Sequence, residues 1–344
     1  MKQTEKRMNS WINVAKVCSI IGVVIQHIRG YAYSNDYIFY SVWWVVALFI
    51  ILGGYNAYNS YEERGYVVVK RRLLNIFIPY LIATCIYSFY YIKRVDAVEV
   101  LTRLLHFDAA SPFYYCAVYM QLVLITPVLI GIVNWCERIK IRVWLIWCSI
   151  LIICFFSTHF TNLFEIAIGG GNLLAGTWLF FWFLGIFIAK YGFLSMNNAK
   201  KCQVFVIHSI IIILWQWLFV NKGLNLKLSY MFHSDGIGLT WANAFESVVL
   251  FFWFKELIEC GKIIFGEKLY KILRPFNYLG QHTLYIFLFH MLFFSIYKDW
   301  IEFSGKMNRW LCLFFIIFGP VVIDIIFSKV KGWLVKIMKE IKVI

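Results

Sequence analysis

Apolar runs of membrane length recur along the whole chain, and no other feature of the sequence constrains its fold as strongly. A helix needs about 20 residues to cross the hydrocarbon of a bilayer, with a working range of roughly 17–25. On that ruler the sequence predicts about ten spans. Their centres fall near Ile20, Leu48, Ala83, Val123, Ile150, Trp182, Ile212, Leu250, Leu288 and Phe318. The fifth rests on a short apolar run. Hydrophobic residues make up 62% of the chain and charged residues only 15%, too little charge to cover a soluble domain of 344 residues. Short linkers leave no room for a separate soluble domain. The expected fold is therefore an all-α integral membrane protein, one polytopic bundle over residues 1–344.

The net charge of +15 does not point to nucleic acid, because the basic residues sit in short clusters between apolar runs rather than on one face. If the N-terminus is cytoplasmic, the inner segments carry Lys2, Lys6 and Arg7, then Arg64, Lys70, Arg71 and Arg72, then Arg138, Lys140 and Arg142. Lys190, Lys200 and Lys201 follow, then Lys255, Lys262, Lys268, Lys271 and Arg274, and finally the lysines after Ser328. Far fewer basic residues fall outside, so the positive-inside rule places both termini in the cytoplasm. The expected location is the inner (cytoplasmic) membrane, as a multi-pass protein. An odd number of spans would break this alternation. The N-terminal "MKQTEKRMNSW" leads into a first helix without a small-residue cleavage pattern, which predicts a retained helix. Cys18, Cys148, Cys154 and Cys312 lie in apolar runs without paired spacing, so neither a disulfide framework nor a metal site is expected.

Ionisable residues inside spans are costly and point to function by default. "KVCSIIGVVIQH" opens on Lys16 and closes on His27, eleven positions later in the first span. Eleven helical residues rise about 16 Å over roughly three turns, so both lie on nearly one face. Two readings fit the helix alone. Either the pair marks two depths of a functional path, or Lys16 snorkels to inner headgroups while His27 sits as a polar residue at the outer interface. His290 falls mid-span in the ninth span, with His282 two turns earlier at its inner end. His290 either orients a substrate from the opposite wall or is a core histidine bonded to a neighbouring helix. His208 has no motif around it and reads as structural; Asp324 and Glu246 are intramembrane and able to pair with a basic residue. Outside, "HFTNLFEIAIGGGNLLAGTW" holds His159, Glu165 and three consecutive glycines. With no Lys-Ser/Thr after them, these glycines suit a re-entrant bend, a lid or a plain connector rather than a phosphate loop. Trp43, Trp44, Phe113, Tyr114 and Tyr115 are expected near the outer surface, where aromatics stack on sugars or simply line the interface.

The order of several segments resembles the acyltransferase-3 family of membrane acyltransferases. "KVCSIIGVVIQH" fits its basic residue, ten residues, histidine motif, and "FIILGGYNAY" looks like its F-x-[IL]-S-G-Y segment. "KRRLLNIFIPYL", "SPFYYCAVYMQLVLITPVL" and "FFWFLGIFIAKYG" are similar to its third-span cluster, its aromatic segment and its F-x-x-G-x-x-[IL] span. "LGQHTLYIFLFHMLFF" matches its late LG-x-x-[ST]-L-x-I-Y-x-x-H signature. The chain departs from the pattern at Asn13, where aspartate is common, at Lys16, where arginine is common, and at Arg72 and Asn75, where an arginine pair is usual.

The resemblance implies transfer of an acyl group, commonly acetyl from acetyl-CoA, to a hydroxyl of a cell-surface polysaccharide or lipid-linked glycan. It implies His27 as general base or transient acyl carrier, with Lys16 stabilising charge on the donor and His290 facing them. Lys70, Arg71, Arg72 and Asn75 would hold the CoA phosphates. No metal and no nucleic-acid partner are expected, and the sequence does not set the oligomeric state. A polysaccharide polymerase or flippase would show a long outer loop or a basic path, and a secondary transporter internal repeats. The sequence shows no long outer loop and no convincing repeat, but hydropathy alone does not separate these classes.

Overall fold

The computed structural model describes residues 10–92, 96–138, 142–167, 173–192, 196–218, 241–304 and 309–341. Among them are the helices α1 (Ser10–His27), α2 (Asp36–Ser41), α3 (Val45–Arg64), α4 (Val69–Ile92), α5 (Ala97–His106), α6 (Tyr114–Arg138) and α7 (Val143–Ala167). There follow α8 (Leu179–Tyr191), α9 (Asn198–Gln216), α10 (Trp241–Phe265), α11 (Lys268–Ile272), α12 (Arg274–Ser304) and α13 (Cys312–Ile341). No strand occurs among the described residues, and a lone bridge joins Arg29 to Tyr33. Each of the ten expected centres falls inside a helix, in the order α1, α3, α4, α6, α7, α8, α9, α10, α12 and α13.

Among the described residues, eight helical segments are long and apolar enough to cross a membrane. The chain is an all-α polytopic membrane protein. The two exceptions have separate causes. Helix α8 has 13 residues, about 20 Å of rise, and reaches further only through the 3-10 turn Ala175–Trp178 before it. Helix α10 is long, but Glu246, Lys255, Glu256 and Glu259 interrupt its apolar character. Those charges are used against α9. His208 Nδ1 lies 2.7 Å from Glu256, Lys201 Nζ lies 3.1 Å from Glu259, and Trp253 Nε1 donates to Ser209 Oγ at 2.8 Å. Gln216 Nε2 donates to Glu246. A polar seam of this kind holds helices together where lipid offers no hydrophobic drive.

The outward faces are apolar, as a hydrocarbon solvent requires. Phe314, Phe318, Val322 and Ile326 form an exposed i, i+4 stripe on α13, and Ile152, Phe156 and Phe160 do the same on α7, with Ile153 exposed beside them. Helix α5 was not expected. Val98, Leu101 and Leu105 lie exposed on one of its faces, and Asp96 caps it by accepting from the Val98 and Glu99 amides. A short amphipathic helix of this form lies in a membrane interface rather than across it.

Close backbone approach joins α3 to α8. A Cβ at Gly54 would meet the Trp182 carbonyl, and one at Gly185 would meet the Ile51 carbonyl and lie 2.8 Å from the Tyr55 nitrogen. The glycines of "FIILGGYNAY" and "FFWFLGIFIAKYG" are thus two sides of one small-residue contact. Among the described residues the buried apolar side chains form two clusters, one centred on α3, α6, α8 and α10, the other on α1, α4 and α12 with α13. Trp44, Val46, Tyr115 and Tyr119 pack against both, and the candidate site lies at this seam.

Candidate active site

A cavity of about 240 Å³ opens between α1, α3, α4, α6 and α12. Lys16 from α1 and Arg72 and Asn75 from α4 line it, with Asn56 from α3, Tyr115 and Tyr119 from α6, and Thr283 from α12. Phe49, Leu52, Leu284 and Phe287 supply apolar wall. Two cations therefore share one pocket, and no acidic side chain lines it among the described residues. Cations held among packed helices suit an anionic guest, since an unneutralised positive charge in low dielectric is costly. Arg72 is fixed in place because its Nη2 donates to the Asn56 carbonyl at 2.7 Å. The far wall is rigid too: Gly53 lies against the Trp182 indole, whose Nε1 donates to Thr126 Oγ1 at 3.0 Å.

Outward of the cavity on the same side of α1, His27 meets His290, with ring centroids 5.0 Å apart. His290 is 1% exposed. Its Nδ1 lies 2.7 Å from the Phe287 carbonyl, and a carbonyl only accepts, so Nδ1 carries the hydrogen and Nε2 the lone pair. That Nε2 has no hydrogen-bond partner among the described residues. Tyr87 steadies the same stretch of α12, its hydroxyl accepting from the Leu292 amide at 2.7 Å. The end of α1 is held by Gln26 Nε2, which donates to the Val42 carbonyl at 3.0 Å, and by the Tyr33 hydroxyl, which donates to the Ile25 carbonyl at 2.8 Å. Between cavity and imidazoles stand aromatic rings: Phe287 lies 5.0 Å from Tyr115 and 6.1 Å from His290, and Tyr115 lies 6.5 Å from Phe49.

The structure thus brings Lys16, Arg72 and Asn75 around one cavity and pairs His27 with His290 beyond it. Lys70 and Arg71 lie elsewhere. Both are exposed and line a separate open groove with Leu74 and Ile78, in which Asn75 is the residue shared with the cavity. Asn13 donates to Asn277 Oδ1 at 3.1 Å and packs against Gly280, joining α1 to α12 rather than facing the cavity.

Among the other ionisable residues, His208 belongs to the seam between α9 and α10, Glu246 bonds an amide rather than a cation, and Asp324 lies 2.6 Å from His282. The three glycines at 169–171 lie outside the described residues. The stretch after them is tied down: Glu165 accepts from the Leu174 amide and the Thr177 hydroxyl, both at 2.7 Å, and Gln121 Nε2 donates to the Leu173 carbonyl. Among the described residues no His, Cys, Asp and Glu cluster suits a metal.

Sequence reasoning missed Asn56, Tyr119 and Thr283, and it grouped Tyr115 with outer aromatics although it lines the cavity. Only Asn56 carried a signal, an amide that follows directly on the apolar run of its span. A protein family described as an acyltransferase domain matches residues 9–329. No curated protein and no solved structure matches the chain.

Proposed function

The chain belongs to the acyltransferase-3 family, and on that premise we propose that it O-acylates a glycan hydroxyl with acetyl from acetyl-CoA. It is a membrane acyltransferase; the acetyl donor, the cell-surface polysaccharide or lipid-linked glycan acceptor and the inner-membrane location are our reading. One observation carries it: a cavity with two cations and no acid among its described lining residues, and an imidazole pair of which His290 is buried, lie along the same side of one helix.

In this reading CoA approaches from the cytoplasm, the side to which the distribution of basic residues assigns both chain termini. Arg72 and Lys16 hold its anionic groups, Asn75 contributes an amide, and the pantetheine arm passes outward beside α1. About 16 Å of helix separates Lys16 from His27, a distance a long thin arm covers. His27 takes the proton of the acceptor hydroxyl as its oxygen attacks the thioester carbonyl. The carbon–sulfur bond breaks, the acyl–oxygen bond remains, and the imidazolium returns its proton to the leaving thiolate, releasing CoA. His290, with its Nε2 lone pair free, accepts a hydrogen bond from the hydroxyl or from His27 and orients the pair. The aromatic rings over the cavity keep water from the thioester.

The test is CoA release from acetyl-CoA by purified protein in liposomes, for wild type, Lys16→Ala and His27→Ala. Slow hydrolysis or self-acylation in wild type, lost in His27→Ala, is expected. Full activity in His27→Ala would remove it as base, and no turnover of any short acyl-CoA would overturn acyl-CoA as the donor.

A further inference from the structure

Lys70 and Arg71 take no part in the cavity, yet they occupy a built surface feature. The groove they line has a volume of about 570 Å³ and is walled by the segment from Tyr66 to Val69 and by one face of α4. Arg71, Leu74, Asn75 and Ile78 share that face by helical spacing, and Lys70 stands one turn before Leu74. The two cations lie at the start of a membrane-spanning segment, and the apolar residues run inward from them for about 10 Å to Ile78. Leu74 and Ile78 are 43% and 49% exposed, and Tyr66 at the mouth is 62% exposed. Neither Lys70 nor Arg71 has an acidic partner among the described residues.

We propose that this groove binds an anionic phospholipid, its phosphate between Lys70 and Arg71 and an acyl chain along Leu74 and Ile78. The order of features matches such a molecule: positive charge at the interface, then an apolar channel along the membrane normal. A free phosphate would use the cations and leave the channel idle. Asn75 lines both groove and cavity, so the lipid sits against the wall of the proposed donor site. The lipid assignment stands independently of the reaction proposed above.

The experiment is native mass spectrometry of the full chain in mild detergent, titrated with phosphatidylglycerol or phosphatidylcholine. Wild type retains phosphatidylglycerol in preference. The double variant Lys70→Gln/Arg71→Gln loses roughly 30-fold in retention, from about 1 kcal/mol per interfacial cation. Lys200→Gln, which removes an exposed cation elsewhere, retains the lipid as wild type does. Leu74→Gln weakens retention of long-chain phosphatidylglycerol more than that of a short-chain analogue. Equal retention by wild type and the double variant would overturn the site. Displacement of the lipid by inorganic phosphate or CoA at equal concentration would overturn it differently, marking the groove as a subsite for soluble phosphate. Acetyl-CoA turnover is not needed for any of these outcomes, so an inactive protein would refute the proposed reaction and leave the lipid result to stand or fall alone.

Discussion

Replacing Gly185 with alanine tests how the cavity is held. The added Cβ would press on the Ile51 carbonyl and lie 2.8 Å from the Tyr55 nitrogen, both main-chain atoms of α3. Optimal non-bonded separations are about 3.5–4.0 Å, so the two helices must part by roughly 1 Å at the contact. No side-chain rotation relieves this, because the neighbour is backbone. Overpacking of this kind costs about 1–3 kcal/mol. The movement also reaches the site, since Gly53 on α3 rests on the Trp182 ring from α8 and lines the cavity. Gly54→Ala presses on the Trp182 main chain and should behave alike. Gly131→Ala is the control: a Cβ there has nothing within 4 Å, and alanine gains about 0.5–1 kcal/mol over glycine in a helix. Fluorescence-detected size exclusion after a heating series measures all three. Gly185→Ala and Gly54→Ala should melt below wild type and lose acetyl-CoA turnover, while Gly131→Ala should melt at or above it. A Gly185→Ala protein with wild-type melting and turnover would refute the claim that this contact sets the cavity wall.

Arg72→Gln should raise KM for acetyl-CoA about 10- to 100-fold with a smaller fall in kcat, because hydrogen bonds to charged groups contribute about 1.5–3 kcal/mol; an unchanged KM would take Arg72 off the donor. Phe287→Ala thins the aromatic partition beside His290, so CoA release without acceptor should rise relative to acceptor-dependent transfer, measured with and without added glycan. His208→Ala strips Glu256 of its imidazole and should destabilise the α9–α10 seam by about 1–3 kcal/mol, whereas the double variant His208→Leu/Glu256→Leu should recover most of that in the same melting assay.

The spans were legible because hydrocarbon thickness acts on each segment separately. Where the sequence ruler and the structure part, a neighbour is responsible: α10 carries charges that make sense only against Lys201 and His208 of α9, and α8 is short because a 3-10 turn completes it. Helix α5 escaped notice because an interfacial helix of 10 residues has too little apolar length to register as a span. At the site, Lys16, His27 and His290 stood out because charge or imidazole at membrane depth is rare. Helical spacing placed Lys16 and His27 on one side but said nothing about which helix would face each. The division of the basic cluster was equally hidden. Lys70, Arg71 and Arg72 are consecutive, and only tertiary packing turns Arg72 inward to the Asn56 carbonyl while its neighbours face the groove.

That packing also bears on the two readings of the first helix. A snorkelling lysine lies along lipid with its ammonium among headgroups. Lys16 instead lines an interior cavity with Arg72, another cation, and two like charges in one pocket oppose folding unless something anionic is there to be bound. At the other end, an idle interfacial histidine would have water or headgroups as partners. His27 instead packs on an imidazole that is 1% exposed and whose Nε2 has no partner among the described residues. Each feature alone costs stability: repulsion at one end, an unmet buried acceptor at the other. Both costs vanish together for one kind of occupant, a molecule with an anionic head near Lys16 and a hydrogen-bond donor near His290. In the proposed reaction a CoA thioester and an acceptor hydroxyl would supply those two features from opposite sides of the membrane, with the aromatic rings around Phe287 between them.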